Sequence, residues 1–214
     1  MNSSISILEF TDLIKSFGIV PRTILEIGSM DGVDAKEMKK IFPCSKVMAI
    51  EALPDNYNKY LKTLEEIETF NIIISDYDGI SKFHKKNING IHSIYNRGDN
   101  YGTKILSLPC CKLDTFCKDN NIKGLDAIKI DVEGATYEVL VGGKNVLKNV
   151  SILHIETESY QFFINQHLHK DVEKILYGLN FKCVKMTKVC HNDSNPSQAQ
   201  YDSVWINKNL IKNG

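Results

Sequence analysis

From Ile128 to Ala135 the chain reads Ile-Lys-Ile-Asp-Val-Glu-Gly-Ala. Lys129, Asp131 and Glu133 therefore alternate, and in an extended segment they project to one side. His154, Glu156 and Glu158 repeat the alternation further along. On neighbouring strands these groups converge at one sheet edge. There a carboxylate or a histidine can take a proton from a hydroxyl. Asp131 with Glu156 could instead hold a divalent cation that acidifies the hydroxyl. A structural ion network around Lys129 is an equally good reading of each residue taken singly. Asp131, Glu133, His154 and Glu156 are the catalytic candidates, unranked, and no metal site is assigned.

A second constellation lies earlier, at Glu26-Ile27-Gly28-Ser29-Met30-Asp31-Gly32. Glycines between a strand and a helix let backbone pass beneath a ligand, and the helix start offers free N–H donors. The spacing is GxxxG, not the GxGxxG of dinucleotide sites, and Ser29 carries a side chain where close approach to a pyrophosphate is needed. Glu26 and Asp31 would repel a diphosphate but suit a cationic ligand such as a sulfonium with an amino group. Glu51, about twenty residues on, can accept hydrogen bonds from both hydroxyls of a ribose. Loop and carboxylate together indicate an adenosine-bearing cofactor. Ser75-Asp76 offers a donor and an acceptor to an adenine edge, or is a plain Asp-rich turn. His92 reads as a loop histidine. His167, His169 and the Cys190-His191 pair are too sparse for a zinc site and read as surface features.

The elements that must position these groups alternate along the chain. Phe10, Leu13, Ile14 and Phe17 mark a helix that stops at Gly18. Strands are expected at 23–28, 46–51, 70–75, 125–131 and 151–155, with helices at 33–42, after a cap at Asp55, after Gly134 and around 172–179. Residues 80–112 are less regular, with one or two antiparallel strands and a loop. Two β-rich segments, 181–189 and 203–207, close the chain around the turn formers Asn192, Asp193, Asn195 and Pro196. Such alternation predicts an α/β fold, doubly wound and mostly parallel, with ligands bound outside the carboxyl ends of the strands. Without repeats or low-complexity linkers, residues 1–214 are read as one domain, with an N-terminal helix in 1–20 and an insertion at 80–112 near the acceptor side of the site.

Composition sets outer bounds. The 214 residues are 43% hydrophobic and 24% charged, with 26 basic and 26 acidic groups and no net charge. That neutrality disfavours a nucleic-acid binder, and no apolar run approaches the roughly 20 residues of a membrane span. Met1 to Ile5 lacks a basic n-region, and six cysteines without a CxxC pair suit reduced thiols in the cytoplasm. Locally the charge is uneven. Residues 81–112 hold six basic groups against Asp99 alone. This stretch, Lys85 and Lys86 included, is expected either to be a solvated loop or to steer a phosphate-bearing acceptor.

The segments LEIGSMDG, AIEALPDNYNKYLKTL, KLDTF, IKIDVEGATYEVLVGG and HIETE resemble the FkbM-type methyltransferases, a family of class I S-adenosylmethionine-dependent enzymes. The resemblance runs from about Thr23 to Glu158. It implies a Rossmann-like sheet of seven strands ending in an antiparallel pair, and methyl transfer to a hydroxyl of a sugar, glycan precursor or similar small molecule. By position, Glu26, Gly28, Asp31 and Gly32 would hold the methionine part of S-adenosylmethionine, with Ser29 beside them. Glu51 would hold the ribose with Ala52 next to it, and Ser75-Asp76 would lie near adenine. Ser29-Met30 stands where Ala-Asn is more usual, and Thr136 where Glu is frequent. Two other readings are a nucleotide-dependent oxidoreductase on a similar sheet, and a non-catalytic S-adenosylmethionine-binding module.

Overall fold

A computed structural model describes residues 4–98, 101–190 and 198–211. Its main sheet has seven strands in the order β3-β2-β1-β7-β8-β10-β9. These are β1 (Thr23–Ile27), β2 (Lys46–Ile50), β3 (Ile67–Phe70), β7 (Ala127–Ile130), β8 (Ile152–Glu158), β9 (Phe181–Cys190) and β10 (Ala199–Asn207). Five of them run parallel, and β10 pairs antiparallel with both β8 and β9. A small second sheet, in the order β4-β6-β5, is built from β4 (Ile73–Ser75), β5 (Gly79–Lys85) and β6 (Lys104–Lys112).

Because the central strands are covered on both faces, they read as continuous apolar runs. One face packs Ile24, Val47, Ala127 and Val204 against α1 (Ile7–Ser16) and α2 (Val33–Ile41). The other packs Leu25, Met48, Ile128, Leu153 and Trp205 against α4 (Leu113–Asp119), α5 (Thr136–Gly142) and α6 (His169–Gly178). A reciprocal capping box fixes the start of α1: Ser6 Oγ accepts from Glu9 N at 3.2 Å, and Ser6 N donates to Glu9 Oε2 at 2.9 Å. Just before it, Ile5 N donates to Asp202 Oδ2 at 2.7 Å, so the entering chain is tied across β10.

Two expectations need correcting. The segment 70–75 is not one strand: β3 ends in the main sheet at Phe70, and β4 begins in the small sheet at Ile73. Asn71 makes the break, its side chain donating to the carbonyls of Glu51 and Ala52 at 2.7 and 3.0 Å. The helix after β2 starts at Pro54, with Leu53 rather than Asp55 at its cap. Proline suits that first position, because its missing N–H would be unsatisfied there anyway. This helix, α3 (Pro54–Asn56), continues into a π-type turn over Tyr57–Leu61. The insertion at 80–112 is, as expected, an antiparallel strand pair, β5 against β6, joined by a loop. The described cysteines are free, and Cys110 and Cys111 sit in β6. The turn formers Asn192 to Pro196 lie outside the described residues. Among the described residues, no helix is long and apolar enough to cross a membrane.

Candidate active site

Strand β1 lies between β2 and β7, so the order of the sheet reverses there, and a crevice opens beyond the carboxyl ends of these strands. The loop after β1 is held tightly. Gly28 N and Ser29 N both donate to Ile50 O, at 2.9 and 3.0 Å. Gly28 has φ +86°, and a Cβ there would lie 1.8 Å from Asp131 O, so glycine is required both by conformation and by contact with the end of β7. Met30 follows with φ +47° and donates its N–H to Glu51 Oε2 at 2.9 Å. Leu53 N donates to Glu51 Oε1 at 2.7 Å. The loop backbone thus aims the Glu51 carboxylate, which is 7% exposed. Burial pushes this carboxyl up to about 7, against the two backbone donors that pull it down.

A cavity of about 180 Å³ fills the crevice. Gly28, Met30, Glu51 and Ala52 form one side, and Asp131, Val132 and Glu133 the other. Ile73, Phe83 and Ile94 supply an apolar slot, and His92 closes it. Of the expected cofactor residues, Gly28, Glu51 and Ala52 line this cavity. Glu26, Ser29, Asp31, Gly32, Ser75 and Asp76 do not. Ser29 Oγ turns inward and donates to Glu26 Oε2 at 2.5 Å. Asp31 Oδ1 accepts from Val33 N at 3.1 Å, and Gly32 caps α2 with Leu64 packed close against it. Ser75 is buried at the end of β4, with its carbonyl against Gly142. The break at Asn71 brings Ile72 to Ile74 to the cavity in place of Ser75-Asp76.

Lys129 organises the acidic layer below. Its ammonium lies 3.0 Å from Asp131 Oδ2, 3.2 Å from Asp34 Oδ2 and 3.6 Å from Glu26 Oε1. Burial alone would push this ammonium down, but Asp131, Glu26 and Asp34 more than reverse that and hold it charged. Glu26 is 1% exposed, and burial lifts its carboxyl to about 7 in spite of Lys129.

The strand pairing brings Asp131, Glu133 and Glu156 together, with one carboxylate oxygen of each within 4.8 Å of the others. Glu133 has φ +50° in a tight turn with Gly134, and its Oε2 stands 3.5 Å from Arg97. Burial, then Asp131, pushes Glu133 up to about 8, and burial with a hydrogen bond from Gln166 in opposition leaves Glu158 at about 7. Glu156 is raised for the same reason, burial first and its acidic neighbours second. His154 sits deeper, 3% exposed, with Nε2 2.5 Å from Asp202 Oδ1 and the ring tilted on Phe10. Asp202 is a site residue missed in the sequence, because only the antiparallel register of β10 with β8 places it beside Glu156.

The insertion loop packs over this layer. Ser93 Oγ donates to Glu133 O at 2.6 Å, and Arg97 lies over Phe162 and Phe163. Tyr95 donates to Glu138 Oε1 at 2.6 Å. His167 Nδ1 lies 2.8 Å from the same oxygen, and its ring is stacked on Tyr137. His169 is 8% exposed, with Nδ1 2.8 Å from Thr157 Oγ1. His169 is therefore buried, against the surface reading, whereas His167 is exposed as expected and tied to Glu138 at the surface. The Cys190 side chain and His191 lie outside the described residues. His92 is likewise no free loop histidine: it lines the cavity and accepts from Lys86 N. Lys86 is 2% exposed, its ammonium held by Asn96 Oδ1, Gly98 O and Thr103 Oγ1, and Lys85 pairs with Asp55. Lys86 is thus a buried structural group, while Lys85 stays at the surface beside Asp55.

These raised carboxyls set the pH response. Between about pH 4.5 and 8 the folded chain binds more protons at Glu26, Glu51, Glu133 and Glu158 than the unfolded chain does. The stability these carboxyls contribute therefore falls as pH rises through that window, offset in part below about pH 6.5 by His84, His92 and His169, whose burial disfavours their charged form. The lowered carboxyls, Glu9, Asp55 and Asp78, act in the opposite sense but only below it. Urea unfolding of the ligand-free chain is expected to give a lower free energy at pH 8.5 than at pH 5.5. A Glu51→Gln variant should lose about 2 kcal/mol of that difference. A flat profile would place these carboxylates in contact with water.

Sheet order, switch-point cavity and a carboxylate at the end of the second strand together define the Rossmann-like class I methyltransferase fold. The chain belongs to the methyltransferase FkbM domain family, whose profile matches residues 26–183. It is 24% identical over 160 residues to the 2-O-methyltransferase NoeI of Sinorhizobium fredii; the match covers 67% of this chain and 66% of that protein, just under two thirds. The N-terminal domain of EvdMO1, solved with SAH and D-fucose, superposes with a TM-score of 0.55 at 8% identity, over 97% of this chain and 84% of that one. Sp1610 of Streptococcus pneumoniae superposes with a TM-score of 0.51 at 14% identity, over 93% of this chain and 69% of the other.

Proposed function

We propose that this protein transfers a methyl group from S-adenosylmethionine to a hydroxyl of a sugar or similar polyhydroxylated molecule. The observation that carries this reading is the cavity held between Glu51 on one side and Asp131 with Glu133 on the other. The side chains present suit the cofactor. Glu51, fixed by two backbone donors, has lone pairs left for a ribose diol, and Ile73, Phe83 and Ile94 give a planar base an apolar slot. The acidic side at Asp131 favours a sulfonium. Ser75-Asp76 stands outside this slot, and Glu26 with Ser29 serves the Lys129 network, so both act on the cofactor only by shaping the loop and strand that do touch it.

When bound, the cofactor supplies an electrophilic methyl for in-line displacement, which makes alignment the main task of the protein. Glu133 is the group placed to receive the hydroxyl proton. Its carboxyl is raised toward neutrality and held by Arg97 beside Phe162 and Phe163. His154, committed to Asp202 and two positions deeper on β8 than Glu156, supports that layer from below. A cavity edge rich in carboxylates, with Lys85 and Lys86 engaged elsewhere, favours a neutral hydroxylated acceptor over a phosphate-bearing one. The name of NoeI and the D-fucose in the EvdMO1 structure are in keeping with that class.

Calorimetric titration with S-adenosylmethionine, S-adenosylhomocysteine and NAD tests the reading. The first two are expected to bind and NAD is not. Glu51→Gln should weaken S-adenosylhomocysteine by about tenfold, the worth of hydrogen bonds to a charged acceptor. Binding of NAD alone would make the protein an oxidoreductase. Cofactor binding with no turnover on any of a panel of sugars and glycosides would make it a binding module.

A further inference from the structure

We infer that Asp131, Glu133 and Glu156 form a binding site for a hard divalent cation where β8 meets the chain leaving β7. Three carboxylates from the ends of two adjacent strands each offer an oxygen within 4.8 Å of the other two. Oxygens bound about 2.3–2.6 Å from one ion can lie no farther apart than twice that, so the spacing suits a Ca²⁺- or Mn²⁺-sized ion and an all-oxygen donor set.

Proximity of acids alone would not carry this, but two further observations do. Glu156 Oε1 is sealed from solvent and has no hydrogen-bond partner among the described residues. His154, its side chain 4% exposed, leaves Nδ1 equally unpartnered. Both residues line a second cavity, of about 330 Å³, which shares Asp131 with the first but does not include Glu133. Buried polar atoms normally find partners, so a sealed, unpartnered oxygen on Glu156 beside two further carboxylates calls for a ligand that accepts its lone pairs.

Charge leads to the same place. Lys129 is shared among Glu26, Asp34 and Asp131, where it takes Oδ2 and leaves Oδ1. Arg97 reaches Glu133 only at 3.5 Å. No lysine or arginine among the described residues pairs with Glu156. Desolvated like charges of this kind either take up protons or are compensated by a cation, and a divalent ion that displaces the protons supplies that compensation. Binding of the ion stands independently of the methyl-transfer reading. Its use, holding the oxygen of an acceptor hydroxyl beside Glu133, rests on that reading.

The test is a calorimetric titration of the full chain with MnCl₂, with no cofactor present. One saturable site per chain is expected, and Glu156→Gln and Asp131→Asn should each weaken it by at least about tenfold, while Glu37→Gln on the outer face of α2 leaves it unchanged. Folding of each variant is checked by its melting temperature, and Glu133→Gln replaces any variant that does not fold. A folded wild-type chain without a saturable Mn²⁺ event overturns the inference. So does Mn²⁺ binding that survives in every folded variant. S-adenosylhomocysteine binding without Mn²⁺ binding removes the cation site alone, and Mn²⁺ binding without S-adenosylhomocysteine binding removes the proposed function alone.

Discussion

A Gly28→Ala variant is expected to lose cofactor affinity by about a hundredfold or more, the effect of misplacing binding groups by an ångström. The reason is the contact between loop and strand. At φ +86° an alanine is already strained, and its Cβ would sit 1.8 Å from Asp131 O and 2.7 Å from Asp131 C. Both are backbone atoms that no rotamer change can move. The loop after β1 and the end of β7 would have to part, and they carry the two sides of the cavity. The N–H groups of Gly28 and Ser29 would be pulled from Ile50 O, and Met30 N from Glu51. Gly18→Ala is the matched comparison. It has φ +66° but nothing within 4 Å of an added Cβ, so it should cost about 1–2 kcal/mol of stability and leave binding alone. S-adenosylhomocysteine titration of both variants decides the matter. Equal affinities would mean that the loop can leave β7 without harm.

The same contact explains what could be read from the sequence. The inner parallel strands β1, β2 and β7 were legible because each is a largely apolar run stopped by a carboxylate or a glycine, whereas β3, with Glu68 and Thr69 inside it and Asn71 after it, was not. Glu51, Asp131 and Glu133 follow from that pattern alone. Met30 does not, since only the left-handed backbone after Gly28 brings it to the cavity wall. Ser75-Asp76 looked like a strand end of the main sheet, but the Asn71 side chain spends itself on the carbonyls after β2 and diverts the chain into the small sheet. Lys86 looked like one charge of a basic patch. A loop that closes over it with three neutral oxygens makes it a buried post, which no local signal announces. Asp202 has the same origin, because its place beside His154 is set by pairing across 48 residues of sequence.

Lys129 is where the carboxylate layer and the stability of the fold meet, and Lys129→Met is expected to cost about 3–5 kcal/mol at pH 8. Removing one partner from a buried ion network leaves the others uncompensated, and here the partners are Glu26, Asp34 and Asp131 at once. A loss of that size is a large share of the 5–15 kcal/mol typical of a domain. The cost should depend on pH with a definite sign. Glu26 titrates at about 7 in the folded chain because burial outweighs Lys129, so near pH 5.5 it is already neutral and loses little when the ammonium goes. At pH 8 it must either stay charged in an apolar setting or take up a proton against the solution. The variant should therefore lie closer to wild type at pH 5.5 than at pH 8 in urea unfolding. Adding Glu26→Gln should recover part of the loss at pH 8, since it removes one uncompensated charge while an amide can still accept from Ser29 Oγ. If the single variant is equally destabilised at both pH values, packing of the lysine stem and not charge accounts for the effect. If it is not destabilised at all, the Lys129 network is open to water, and the raised carboxyl of Glu26 would not stand.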